Sequence, residues 1–326
     1  SKSIYQTLPH ARAHTHTHTY VCILLESLVS IFSLFVKIQV SRFKCGGIAL
    51  GVSRSHILCD GHSFWHFMVS WAECARGEPI SLPPIHNRSL LKIDNPSLEK
   101  AEIHLDHIED EDKHLGLGGS FKMNTFLFTK DMVETLKRQA GGANTTYEVI
   151  CAHIWQHTTK AREHLDDKKV GFVSVVNMRE RIDPPLGKGY FGNTLMFTIA
   201  IATAGELKDE DLVVTAQRIH RSILACNTDA FYSFLYWLEV YDRDAIFKTC
   251  MLNGARIRAS SSPNFPIFKL DFGWGKPYVA RCPSAEDAGK IIFFPGSDVH
   301  GNIDVVFALP MEIMHRLESD DAFTNP

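Results

Sequence analysis

Apolar residues recur at helical spacing between Gly61 and Ala75, where Phe64, Trp65, Phe67, Met68, Trp71 and Ala72 form one stripe. Gly77 supplies a helix stop. Just upstream, Ile48 to Val52 is apolar and flanked by glycines, the pattern of a buried strand whose start Gly46 and Gly47 bend. Phe35 onward, "FVKIQV", is strand material. Farther on, "FKMNTFLFT" alternates as a strand and "TKDMVETLKRQAGG" reads as a short helix closed by glycines. Thr145 and Glu148 make the S/T-x-x-E box that opens a helix through "YEVICAHIWQHTTKAREHL". "KVGFVSVVNM" and "TLMFTIAIA" are β-branched runs, hence strands, separated by the irregular "RERIDPPLGKGYFGN". "ELKDEDLVVTAQRIHRSILAC" reads as one amphipathic helix with acids in its first turn. "FPIFKLDFGWGKP", "KIIFFPG" and "NIDVVFAL" read as strands and turns, and Pro310 opens a last helix. Strands and helices are interleaved without an internal repeat, which predicts an α/β class.

Two stretches break this rhythm. Residues 1–34 form an atypical extension: "HTHTHT" is a biased tract, and "YVCILLESLVSIFSLFVKIQV" follows it. Glu26 and Lys37 keep that run below the continuous apolar length of about 18 residues that a membrane span requires. A buried segment or a poorly structured extension is therefore expected over a membrane anchor. Residues 78–118, rich in Pro, Asn, Asp and His and including "HIEDEDKHLGLGG", lack periodicity. They predict a crossover linker, placed at 101–120, between a first domain (35–100) and a second (121–326). A long surface loop within one domain is the alternative.

A chain of 326 residues is comfortable for two domains. Its net charge of −3 argues against a nucleic-acid surface, which needs a basic excess. The 8 cysteines show no CxxC pair and several sit in apolar runs, which predicts a reduced, cytoplasmic setting.

The candidate chemistry lies in "SHILCDG". His56 follows the strand, and Asp60 and Gly61 precede the helix. Imidazole is the side chain best suited to accept a proton near neutral pH. Asp60 could hold that ring, or fold back to an arginine and fix the turn. By itself H-x-x-x-D is a weak pattern. A catalytic base, a satisfied core histidine and a metal-ligand pair all fit it, although no third metal ligand stands at a convincing spacing and HExxH is absent.

Together, "SHILCDG", "GYFGN" and "KLDFGWGKP" resemble the plant BAHD acyl-CoA-dependent acyltransferases. "RFKCGGIALGVSRSH", "SFWHFMVSWAECARG", "VNMRERIDPPLGKGYFGN" and "KIIFFPG" resemble that family in the same order, over about Phe35 to Phe323. The resemblance implies two chloramphenicol-acetyltransferase-like α/β domains, with mixed sheets, flanking helices and a channel between them. It implies that His56 is a general base and that Asp60 pairs with an arginine to shape its turn. Gly61, Asp271, Gly273, Trp274 and Gly275 become structural residues. Acyl-CoA is then a co-substrate, the acceptor a small alcohol or amine, and the chain a monomer with no metal and no permanently bound cofactor. Thr145, Thr146, Ser260, Ser261, Arg179 and Arg181 become candidate CoA contacts. Capping competes for Thr145 and Thr146, and pairing with Asp60 or Asp271 competes for the arginines. Two departures stand out: the flank before His56 is short, which implies an incomplete first domain, and Ser262 occupies the place of a family Trp. A catalytically silent relative acting as a protein partner, or an inactive fragment, are the competing expectations.

Overall fold

A computed structural model describes residues 19–22, 36–91, 121–240, 256–282, 289–296 and 301–326. Ten strands and eight α-helices occur among them. The strands are β1 (Thr19–Cys22), β2 (Val36–Arg42), β3 (Ile48–Arg54), β4 (Phe121–Phe128), β5 (Lys169–Asn177), β6 (Leu195–Thr203), β7 (Arg256–Ala259), β8 (Pro277–Arg281), β9 (Lys290–Pro295) and β10 (Ile303–Pro310). The helices are α1 (Gly61–Ala75), α2 (Lys130–Gln139), α3 (Thr146–Arg162), α4 (Ala204–Asp209), α5 (Leu212–Leu224), α6 (Thr228–Val240), α7 (Met311–Glu318) and α8 (Asp321–Thr324).

They build two mixed sheets, in the orders β2-β3-β1-β8 and β4-β10-β9-β7-β5-β6. In the smaller sheet β2 and β3 run antiparallel, while β1 lies parallel to both β3 and β8. Residues 19–22, within the stretch expected as a buried segment or a poorly structured extension, form an interior strand. Strand β8 belongs by sequence to the stretch expected as the second domain, yet it hydrogen-bonds into the sheet of the first. The 101–120 linker lies outside the described residues. Residues 81–91 pack against the later chain: Ile85 bridges Tyr190, and a 3-10 turn follows at Arg88–Leu91.

The central strands of the larger sheet are buried on both faces, and strand alternation explains how. On β9, Ile291 and Phe293 point into a core with Trp155, Phe172, Ile219 and Leu317. Ile292 and Phe294 point the other way, toward Leu50, Phe64, Trp65 and Met68 of β3 and α1. Strand β10 repeats the pattern, with Val305 and Phe307 on one side and Val306 on the other. The helix that carries Asp60 at its N-cap is thereby pressed onto the opposite face of the sheet from α3.

Several elements differ from expectation. The 206–226 stretch is two helices, because Glu210 is extended and α4 ends there. Its carboxylate accepts from Arg218 and Thr215 in the next helix. In the stretch read as strands and turns, Ile267–Lys269 is a 3-10 turn. The last helices begin at Met311, with Pro310 as N-cap. Helix α6 and strand β7 carry no clear period and were not anticipated. No helix among the described residues is long and apolar enough to cross a membrane.

Candidate active site

His56 stands on the turn between β3 and α1, closed by Leu58 N donating to Ser55 O at 3.2 Å. Its side chain reaches solvent. The protein packed around the ring disfavours the charged form, and the Arg54 cation adds to this, so the pKa lies below the usual 6.5. The ring is therefore neutral at pH 7, the form that accepts a proton.

Asp60 does not hold that ring. Its carboxylate is completely buried and takes four donors: Ser63 N (2.9 Å) and Arg179 Nη2 (3.1 Å) on Oδ1, Arg179 Nη1 (2.8 Å) and Thr194 N (3.0 Å) on Oδ2. A carboxylate offers about four acceptor sites, so none is left for an imidazole. The first of these bonds also caps α1. Asp60 thus fixes the turn by joining the start of α1 to the loop before β6.

Arg179 is equally buried, at 0% exposure. Its Nε donates to Tyr190 O (2.8 Å), Nη1 also reaches Asn177 Oδ1 (3.0 Å), and Nη2 reaches Ser63 Oγ (2.8 Å) and Gly192 O (2.9 Å). Every guanidinium N–H is engaged, which leaves none for a CoA phosphate. Arg181 is exposed and donates to Ile223 O at 3.2 Å. At Gly192, φ +157, a Cβ would fall 2.0 Å from the tip of the exposed Arg88 side chain and 3.5 Å from the Tyr190 ring. At Gly61 a Cβ would come within 2.8 Å of the Phe265 ring, which packs on Trp65.

Among the described residues the Asp271 carboxylate meets no arginine side chain. Its Oδ1 accepts from Gly273 N (2.8 Å) and Gly275 N (3.0 Å), closing its own loop, and both glycines have φ +92. The Asp271 carbonyl accepts from Arg76 at the C-terminal end of α1. Phe272 meets Trp71 edge-on at 4.8 Å and stacks on the half-exposed Trp274 at 5.8 Å. A 15-residue helix rises about 22 Å, so this loop docks at the far end of α1 from Asp60. A cavity of about 410 Å³ lies between this loop and the C-terminal half of α1, lined by Glu73, Arg76, Lys269 and Lys276 among others.

The other candidates serve the backbone. Thr145 caps α3: its Oγ1 accepts from Glu148 N (3.3 Å), and Glu148 Oε2 accepts from Thr145 N (2.7 Å). Thr146 is the half-buried first residue of that helix. Ser260 Oγ donates to Ile291 O (3.3 Å), and Ser261 Oγ donates to Phe293 O (3.2 Å) while accepting from Phe293 N (2.6 Å). These hydroxyls extend the β7–β9 ladder beyond the strand. Ser262 Oγ accepts from Asn264 N at 3.2 Å in the turn that delivers Phe265. No cluster of three or more potential metal ligands occurs among the described residues.

Two residues near His56 escaped the sequence: Arg54, whose Nη1 donates to Cys59 O (2.5 Å), and Asn193, whose Nδ2 donates to His56 O (2.9 Å) and Ile57 O (3.1 Å). Asn193 ends the "GYFGN" motif, but only the fold brings it to the turn.

The chain is 30% identical over 306 residues to a hydroxycinnamoyltransferase of Narcissus pseudonarcissus, covering 89% of this chain and 70% of that one. It is 29% identical over 309 residues to anthranilate N-benzoyltransferase protein 1 of Dianthus caryophyllus, covering 86% and 66%. In fold it is similar to F. sporotrichioides TRI101, solved with coenzyme A and T-2, at a TM-score of 0.71 and 19% identity, covering 96% and 81%. The chain spans roughly two thirds of the length of the two sequence relatives. A profile described as the Transferase family matches residues 20–324, and the chain belongs to that family, the BAHD acyl-CoA-dependent acyltransferases.

Proposed function

We propose that this chain transfers an acyl group from acyl-CoA to a hydroxyl or amine of a small acceptor, in the cytosol and as a monomer, with His56 as general base. The observation that carries the reading is the division of labour in H-x-x-x-D. Asp60 is consumed by Arg179 and two backbone amides, and the neutral His56 ring is left on an open turn. The proposed architecture is two chloramphenicol-acetyltransferase-like domains with His56 at the channel between them.

In the proposed reaction His56 takes the proton from the acceptor as its oxygen or nitrogen attacks the thioester carbonyl. The tetrahedral intermediate collapses, the carbon–sulfur bond breaks, and the CoA thiolate takes the proton back from the imidazolium. No covalent acyl-enzyme is formed. A positioned base of this kind contributes about 10²–10⁴-fold. Asp60, Arg179, Ser63 and Thr194 hold the turn through the reaction. The Asp271–Gly275 loop sets the far end of α1.

Because Arg179 is fully engaged, the phosphates of CoA must meet other cations, among which exposed Arg181 is the remaining sequence candidate. Hydroxycinnamoyl- and benzoyl-CoA are the donors to try first, in keeping with the relatives' names. The test is thiol release from these donors with a panel of alcohols and amines. Release that depends on both substrates and is lost in His56→Ala supports the proposal. Equal release by the variant overturns the base role and favours a non-catalytic family member.

A further inference from the structure

The turn that carries His56 is held at both ends. At its base, Arg54 is buried over the Phe64 ring at 4.9 Å and donates to Cys59 O, bridging the residues on either side of the turn. At its tip, the two hydrogens of the Asn193 amide meet two successive carbonyls, those of His56 and Ile57. Asn193 itself has little freedom. Its neighbour Gly192 bonds Ser63 Oγ through N (3.0 Å) and accepts from Arg179 and Asp60 N through O, while Thr194 N is bound to Asp60. The side chain thus projects from a frame built on the buried Asp60–Arg179 pair.

We propose that Asn193 is a positioning residue for His56, fixing the height and direction of the turn so that the imidazole faces the acceptor. The inference deepens the proposed general-base role and rests on it. Placement, more than stability, is what this clamp controls. His56, Ile57 and Asn193 are all exposed, Ile57 at 80%, so water can take over the hydrogen bonds when the amide is removed. Only the geometry is lost, and a displacement near 1 Å costs a reaction roughly 10²-fold. An aspartate of the same shape sets carboxylate oxygens against the two carbonyl oxygens. It pushes the turn away and places a negative charge beside the ring.

The test uses Asn193→Ala and Asn193→Asp in the full chain. Expected is a fall in kcat of roughly 10- to 100-fold for Ala and more for Asp, with KM for acyl-CoA and the melting temperature near the parent's. The acid limb of the Asp variant's pH profile should move to higher pH. A second readout needs no turnover: the rate at which diethyl pyrocarbonate acylates His56, measured by mass spectrometry against exposed His315. That ratio should change in both variants. An unchanged ratio with parental kcat, or a lowered melting temperature with an unchanged ratio, overturns the inference. A parent without turnover whose ratio still shifts on substitution refutes the base role and leaves the positioning role supported.

Discussion

Replacing Asp60 by alanine removes one side of a completely buried ion pair. The Arg179 guanidinium, 0% exposed, keeps its bonds to Tyr190 O, Asn177 and Gly192 O but loses its counter-charge. Breaking a buried pair from one side costs about 3–5 kcal/mol, because the remaining charge is uncompensated. The same substitution removes the cap on α1, worth about 1 kcal/mol, and orphans Thr194 N. Roughly 4–6 kcal/mol is a large part of a total stability of about 5–15 kcal/mol. At about 2–4 °C per kcal/mol, the variant should melt at least 8 °C below the parent. The assay is thermal and urea unfolding by circular dichroism, run beside Arg179→Met and the double variant. With both charges gone no ion is stranded, so the double variant should be less damaged than the two single losses added together. An Asp60→Ala protein melting within about 2 °C of the parent, or strictly additive losses, refutes this account of the pair.

The acid side of the pH–rate profile should reflect a histidine titrating below its usual 6.5: the base form persists to lower pH, so rate is level near pH 7 and falls only below about 6.5. Arg54→Met removes a cation that disfavours the imidazolium and should move that limb upward in initial-rate measurements. Gly61→Ala drives a methyl into Phe265 and should cost about 1–3 kcal/mol by urea titration, unless Phe265→Leu is introduced with it. His153 is buried against Phe323 with Nε2 on its carbonyl (3.0 Å), and burial with the neighbouring His157 pushes its pKa down to about 3. The folded state then binds fewer protons than the unfolded one between about pH 3 and 6.5. Stability should be full above that window and fall by about 1.4 kcal/mol per pH unit within it, and His153→Gln should flatten the slope in urea titrations from pH 7.5 to 5.

Local physics made much of this legible. The apolar stripe of α1 and Gly77 located that helix, and Thr145 with Glu148 marked the start of α3, because periods and caps are decided by neighbours in sequence. What escaped depends on distant pairing. Nothing in "YVC" announces that β1 lies between β3 and β8, strands drawn from far apart in the chain. Helix α6, "TDAFYSFLYWLEV", is apolar nearly all round, so it shows no stripe. The break at Glu210 is set by Arg218 and Thr215 capturing its carboxylate. At the site, His56 and Asp60 could be picked out, but not which partner Asp60 takes. A five-residue span across a strand–turn–helix junction has no fixed period, and that choice is made by Arg179, 119 residues away. Asn193 was in view as a motif letter, and its work on the His56 turn belongs wholly to the fold.

The central claim is that the neutral ring of His56 accepts the acceptor's proton while Asp60 only shapes its turn. Thiol release from hydroxycinnamoyl-CoA, with an alcohol or amine acceptor, by the parent, His56→Ala and Asp60→Asn tests it most directly. The account predicts acceptor-dependent turnover by the parent, a loss of about 10²–10⁴-fold for His56→Ala, and a smaller loss for Asp60→Asn in its folded fraction. Parental rates from His56→Ala contradict it.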